Sequence, residues 1–285
     1  TFLVLTYNLS ASGWKIINGS RTVMHQYPQI VSIQLDGDHI CGGTLLNGNT
    51  VLTAAHCVWD MRYYTMDWFE YHKVKVVLGE YDLHHISGKE KVLQVNKIMM
   101  HPTYKRAKAY IDGNDVALMK FDGFISNDET EYVKYIKLDT DLKVSPGKRC
   151  EVVGWGSMQP DGEDTSQFLQ KAFLDIVSTE ECSKTYPNVQ NVPSNICAGS
   201  GSLSISACKG DSGGPLFCRD PANRLIQVGI VSYSKMPCGQ ANKPTVYTRI
   251  SEVAKWITLN SKIFFGNIVQ ITHSIHTLTI ILTLT

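Results

Sequence analysis

Three short stretches of this chain carry residues that could perform nucleophilic chemistry together. Gly210-Asp211-Ser212-Gly213-Gly214-Pro215-Leu216 sets a serine among glycines. A serine hydroxyl is a poor nucleophile near neutral pH. It needs a base to take its proton, a group to orient that base, and donors for the oxyanion that develops. Glycines have no Cβ to obstruct a close approach, so their backbone can aim several N–H groups at one point. The amides of Gly210 and Ser212 are therefore candidates for an oxyanion hole. Thr53-Ala54-Ala55-His56-Cys57 supplies a histidine beside a cysteine, and Asn114-Asp115-Val116-Ala117-Leu118 an acid at the mouth of an apolar run. Taken singly, each is an ordinary structural feature: a Gly-rich turn, a satisfied histidine, a strand-end cap. Their joint occurrence, in the order His, Asp, Ser, is hard to obtain by chance.

Such residues need a rigid frame, and the rest of the sequence describes one built of strands. Ile30–Leu35 alternates, Asp36-Gly37-Asp38 turns, and Gly42–Leu46 and Thr50–Thr53 resume. Val74–Leu78, Val116–Met119, Cys150–Trp155 and Val228–Val231 are similar. Strands at this spacing without long intervening helices predict an all-β sandwich or barrel rather than βαβ units. One helix is expected near 251–260, capped by Ser251, with Glu252 in its first turn and Val253, Trp256, Ile257 and Asn260 on one side. The polar stretch Asn127–Lys148 reads as the linker between two strand-rich halves.

Composition narrows the class. Lysine plus arginine number 27 against 26 acidic residues, a formal charge of +1 with no long block of either sign. That balance disfavours a nucleic-acid partner, which usually calls for a basic stripe. Eight cysteines occur without any Cys-x-x-Cys, so a structural zinc site lacks its usual spacing. Disulfides remain, and with them an oxidising compartment. Thr1–Tyr7, followed by small residues, reads as the tail of a secretion signal. Residues 263–285 contain no Asp, Glu, Lys or Arg, but polar residues interrupt them too often for a clean membrane span. They read as a frayed appendage.

The ordered motifs around His56, Asp115 and Ser212 resemble those of the chymotrypsin-like (trypsin-fold, S1) serine peptidases, over about residues 16–260. The resemblance implies two packed antiparallel six-stranded β-barrels with a C-terminal helix, the first barrel at about 16–130, the second at about 145–250. It gives Ser212 the role of nucleophile, His56 that of base and acid, and Asp115 that of orienting the imidazole. Lys15-Ile16-Ile17-Asn18-Gly19 looks like the family's activation junction. Cleavage after Lys15 would free an Ile16 ammonium to pair with Asp211 and order the oxyanion loop. Residues 1–15 are then a partial signal and activation peptide, and 261–285 a tail of no assigned role. Eight cysteines allow 105 pairings, which spacing alone leaves open. The resemblance implies Cys41–Cys57, Cys150–Cys218, Cys182–Cys197 and Cys208–Cys238.

In this family the residue six before the nucleophile forms the base of the S1 pocket, and here it is Ser206. No acid stands there to pair with a substrate Lys or Arg, so trypsin-like specificity is not expected. Ser234 and Thr245 replace glycines found in deep-pocketed relatives, which implies a shallower slot for small to medium apolar P1 residues. Aromatic or large apolar P1 side chains are the alternative, and a catalytically weak binding protein on the same fold is the competing class. Lys209 stands at the pocket rim. Trp59–Lys73 is unusually aromatic and reads as a loop, either packed or walling the leaving-group side. Glu80 and Glu90 fall at ligand positions of the family's calcium loop, with Ser87 where some calcium binders have an acid; solvated turn acids are the plainer reading. No cofactor is required. The implied partners are peptide and protein substrates, an activating protease and protein protease inhibitors, for a secreted monomer.

Overall fold

The computed structural model describes residues 19–64, 73–105, 112–128, 130–141 and 144–262. Lys15 and Ile16 of the expected activation junction, Asn18 and the tail beyond 262 lie outside these residues. The first barrel consists of β2 (Ile30–Leu35), β3 (Asp38–Asn47), β4 (Thr50–Thr53), β5 (Val74–Leu78), β6 (Lys91–Met100) and β7 (Ala117–Phe121). It closes in the order β2-β3-β4-β7-β6-β5, every pair antiparallel. The β2–β3 hairpin turns on Asp36 and Gly37, both at positive φ (53° and 98°), the geometry that matches the twist of the flanking strands. Ile33, Leu45, Val51, Leu52, Leu118 and Met119 fill the interior and are fully buried. Each such side chain contributes about 1.5–3 kcal/mol by leaving water.

The second barrel consists of β8 (Arg149–Gly154), β9 (Gln170–Val177), β10 (Asn195–Gly199), β11 (Pro215–Arg219), β12 (Leu225–Tyr233) and β13 (Thr245–Arg249). Its order is β9-β10-β13-β12-β11-β8, closed by β8 on β9, and the short β1 (Ser20–Arg21) adds to β9 from outside. Val152, Leu174, Leu216, Val228 and Tyr247 form its core. A third apolar cluster, including Tyr27, Trp155 and Phe217, lies outside the two barrel cores. Among the ties between the barrels are a buried hydrogen bond and a helix. Gln227 of β12 is wholly buried and accepts a hydrogen bond from the Thr44 hydroxyl of β3 at 2.7 Å. The C-terminal helix follows β13 yet packs Ile250, Val253 and Ile257 into the core of the first barrel.

The described residues contain three α-helices of five residues or more: α1 (Ala55–Tyr64), α2 (Thr179–Ser183) and α3 (Ile250–Asn260). Two local expectations need correction. α3 starts one residue before Ser251, and Arg249 stands at the N-cap without a side-chain cap bond. The strand-to-helix junction sets that start, so Ser251 falls inside the first turn. The aromatic stretch from Trp59 does not begin as a loop, because α1 continues through Tyr64. The described residues of the stretch 127–148 form no strand; they are fastened to the second barrel by an isolated bridge from Leu138 to Gln227.

Candidate active site

His56 sits in the first turn of α1, immediately after β4, and Asp115 sits two residues before β7. Because β4 and β7 pair antiparallel, with Thr53 opposite Ala117, the two residues meet at the same end of the first barrel. The imidazole Nδ1 lies 2.7 Å from Asp115 Oδ2, and the His56 backbone N–H donates to Oδ1 at 2.8 Å. Ser232 of β12 donates its hydroxyl to Oδ2 at 2.6 Å, which ties this acid to the second barrel. Burial opposes charge on Asp115, but the imidazole and the two other donors outweigh it and hold the carboxyl below the usual carboxylate range. The acid is 3% exposed. Held at Nδ1 by Asp115, and with Nε2 3.8 Å from Cys57 Sγ, the imidazole is fixed in orientation.

Ser212 lies on the loop entering β11, with Gly210 (φ 98°) and Gly213 (φ 75°) on either side in conformations that L side chains rarely adopt. The fit against the first barrel is close. A Cβ on Gly213 would collide with Thr53 and Ala54, the residues leading into His56. The Ser212 carbonyl accepts from Gly42 N–H of β3 at 2.8 Å. The serine loop is thus packed across the barrel interface against the residues that lead into His56. The Ser212 hydroxyl is half-buried and makes no hydrogen bond among the described residues. Catalytic bonds of this kind are commonly long before substrate arrives. The amide N–H groups of Gly210 and Ser212 likewise have no acceptor among the described residues, which leaves both for an incoming oxyanion.

The trypsin family model matches residues 16–257. The chain belongs to the trypsin family. It is 34% identical to a trypsin of Pleuronectes platessa over 245 residues, covering 85% of this chain and 88% of that one. It is 31% identical to granzyme M of Homo sapiens over 250 residues, covering 87% and 90% respectively. The solved structure of neuropsin, a serine protease expressed in the limbic system of mouse brain, superposes with a TM-score of 0.74 at 30% identity, covering 86% of this chain and 99% of that one. These relatives point to a peptide hydrolase.

In this trypsin-family chain Asp211 is completely buried beneath the serine loop. Its carboxylate accepts from Gly156 N–H at 2.8 Å and Cys208 N–H at 2.9 Å. Gly154 and Gly156 make the space, since a Cβ on either would overlap that carboxylate. Burial pushes the carboxyl up to about 6. His39, which the sequence reading passed over, supports the same loop from the first barrel. One ring nitrogen lies 3.0 Å from the Gly210 carbonyl and the other 2.8 Å from the Ser32 hydroxyl. Burial lowers its pKa to about 4, so the ring is neutral, with one nitrogen donating and one accepting. The available signal was a histidine just after the hairpin turn on the strand that also supplies Cys41 and Gly42. Nothing local in the sequence marks Ser232 as a partner of Asp115.

The four disulfides that the resemblance implies are all present: Cys41–Cys57, Cys150–Cys218, Cys182–Cys197 and Cys208–Cys238. The first fastens the strand carrying Gly42 to the helix carrying His56. The fourth joins the segment after Ser206 to the segment after Ser234. Ser206 is buried, and its hydroxyl accepts from Gly239 N–H at 2.8 Å across that bridge. Thr245 is fully buried in β13, opposite Ala198 of β10, and Ser234 is half-buried. Lys209 is exposed. Trp59 packs edge-on against Tyr104 at 5.7 Å, while residues 65–72 of the aromatic stretch lie outside the described residues.

The two acids of the expected calcium loop behave differently from each other. Burial, with Glu90 and Asp82 nearby, pushes Glu80 up to about 7, although the Tyr81 amide counteracts. Glu90 turns both oxygens onto its own turn, accepting from Ser87 N–H and hydroxyl and from Gly88 N–H. Among the described residues the one group of three metal-type ligands is Cys41, His56 and Cys57, whose sulfurs are joined to each other. No helix of the described residues is long and apolar enough to cross a membrane.

Proposed function

We propose that this trypsin-family chain is a secreted serine endopeptidase made as a zymogen. The observation that carries the reading is the doubly hydrogen-bonded His56–Asp115 pair against the loop of Ser212. In the reaction, Ser212 Oγ bonds to the scissile carbonyl carbon and its proton passes to His56 Nε2. The carbonyl oxygen becomes an oxyanion received by the Gly210 and Ser212 N–H groups. His56 then gives its proton to the departing amine, leaving an acyl-serine. Water adds to that ester with the histidine again as base, which releases the acid and restores Ser212. Asp115 keeps the Nδ1 proton in place and stabilises the imidazolium.

Activation is assigned to cleavage after Lys15. The released Ile16 ammonium would provide the cation that Asp211 lacks among the described residues, fixing Gly210 in the conformation that His39 supports. Four disulfides fit an extracellular location. Protein substrates, an activating protease and protein inhibitors are the partners of a monomer of this kind. Calcium does not fit well, because Glu90 already closes its own turn and Ser87 adds no charge. We assign no cofactor.

For the substrate residue before the scissile bond, Ser206 offers no charge to a buried cation, and Ser234 and Thr245 add bulk. Small to medium apolar side chains are therefore preferred. The test is to cut the chain at Lys15 and profile cleavage of a mixed peptide library. Cuts after Ala, Val or Leu are expected. A preference for Phe and Tyr would establish the deep-pocket alternative, and no cleavage at all would favour a binding protein on this fold.

A further inference from the structure

Arg249 closes β13 and begins α3, and its guanidinium has no assigned role in the chemistry above. It is half-buried, and its one hydrogen bond is a long one, from Nη2 to the Asn195 carbonyl at 3.3 Å. No carboxylate lies within ion-pair distance among the described residues. Glu252, exposed on α3, and buried Asp139 act on it only through space. A guanidinium carries five donors in a planar fork that matches an oxyanion, and one long bond leaves most of that fork without a protein acceptor among the described residues. Burial accordingly lowers the Arg249 pKa.

The guanidinium borders a cavity of about 80 Å³, shared with Val177, Thr179, Gln190, Pro193 and Asn195. That is several times the roughly 10–15 Å³ that holds one water. Thr179, Gln190 and Asn195 add neutral polar groups to the lining. The position relative to the active site is defined by three bonds. Thr248, beside Arg249, donates its hydroxyl to the Asp115 carbonyl at 2.9 Å. Ser194 Oγ accepts from Asn114 N–H at 3.0 Å. The Asn195 side-chain amide reaches the Tyr233 hydroxyl at 3.4 Å, and Tyr233 lies between Ser232, the partner of Asp115, and Ser234 of the pocket reading. Residues at or beside the lining are therefore bonded directly to the segments that carry Asp115 and Ser232.

We propose that this cavity is an exosite for a carboxylate of a polypeptide substrate, held by the Arg249 guanidinium beyond the residues that fill the cleft. The proposal rests on the peptidase reading for its substrate, but the cavity and its arginine do not depend on it. An acidic side chain several residues before the scissile bond would place its oxygens on the fork of Arg249, with Gln190 and Thr179 at the sides.

The experiment uses peptides that share one cleavage sequence and carry a single Glu moved through the third to the eighth position before the scissile bond, each with its Gln counterpart. In the Lys15-cut chain, one position should give about three- to ten-fold higher kcat/KM with Glu than with Gln. Arg249→Gln should bring that ratio to one. Gln190→Glu should do the same from an exposed position with no threat to folding, because its own carboxylate would occupy the guanidinium. Short peptides that end before the third position should be cleaved equally by all three proteins. A ratio near one at every position in the parent, or a preference that survives both variants, overturns the exosite. If no peptide is cleaved, the peptidase reading fails, and the site is decided by melting temperature in sodium sulfate against sodium chloride at equal ionic strength. Sulfate should then stabilise the parent more than Gln190→Glu, and equal stabilisation overturns the site. Sulfate stabilisation without any Glu preference in a cleaving enzyme overturns the polypeptide assignment.

Discussion

Asp115 and Asp211 are both buried aspartates within the same active-site region, yet their surroundings drive them in opposite directions. Asp115 has an imidazole, a hydroxyl and an amide as donors, and its carboxyl is held below the usual range despite burial. Asp211 has two amides and no cation among the described residues, and burial raises it to about 6. Burial is common to both, so the partner decides the charge. The region around Asp115 is electrostatically complete. Asp211 pairs with no cation among the described residues, so a charge there at neutral pH is held at a cost.

The difference can be tested by removing each charge in turn. Asp115→Asn should lower kcat of the Lys15-cut chain by about 10⁴-fold, the scale characteristic of this family, with little change in circular dichroism. Asp211→Asn should act later and differently. In the cut chain it leaves the Ile16 ammonium buried without its counterion, a loss of about 3–5 kcal/mol, and activity should fall by roughly 10²–10³-fold. In the uncut chain the same substitution removes a disfavoured charge, and the melting temperature at pH 7 should rise. Activity loss from Asp211→Asn as large in single-turnover chemistry as that from Asp115→Asn would erase the distinction between the two.

Stability against pH sharpens the same contrast. In the uncut chain Asp211 has a raised folded pKa, so its contribution grows as pH falls from about 6 toward 3.8. His39 has a lowered folded pKa of about 4, so its contribution is present above 6.5 and is lost as pH falls from 6.5 toward 4. Each spans up to about 3 kcal/mol, and between pH 6 and 4 they oppose each other. Once Ile16 pairs with Asp211, the sign of the aspartate reverses and both groups lose stability in acid. Melting curves from pH 7 to 4 should therefore fall more steeply for the cut chain than for the uncut one. His39→Gln should flatten both. The smallest effect concerns the pocket: Ser234→Gly with Thr245→Gly should shift kcat/KM toward Phe over Leu by about tenfold, since size alone discriminates modestly.

How much of this was legible beforehand follows from where the signals are local. β2, β4 and β5 announce themselves because short apolar or alternating runs end in clear turns. β6, β9 and β13 do not. Lys91–Met100 and Gln170–Val177 mix charges into their outward faces, and Thr245–Arg249 buries two threonines that composition alone would leave outside. The residues of the His, Asp, Ser order were readable because each lies in a distinctive short motif. Ser232 and His39 were not, since their importance comes from partners 117 and 171 residues away. Only closure of two barrels against each other creates those contacts. Likewise Arg249 has an unremarkable sequence setting, and its half-met guanidinium exists only because β10 and β13 are paired.

The central claim is that Ser212 is made nucleophilic by His56 and Asp115 beside an oxyanion hole. The most direct measurement is intact-mass and peptide mapping of the Lys15-cut chain after incubation with a serine-reactive phosphonate. The account predicts one adduct per chain, located on Ser212, formed far more slowly before cleavage and absent in Ser212→Ala. An adduct on another serine, or a cut chain that cleaves peptides yet stays unlabelled at Ser212, would contradict it.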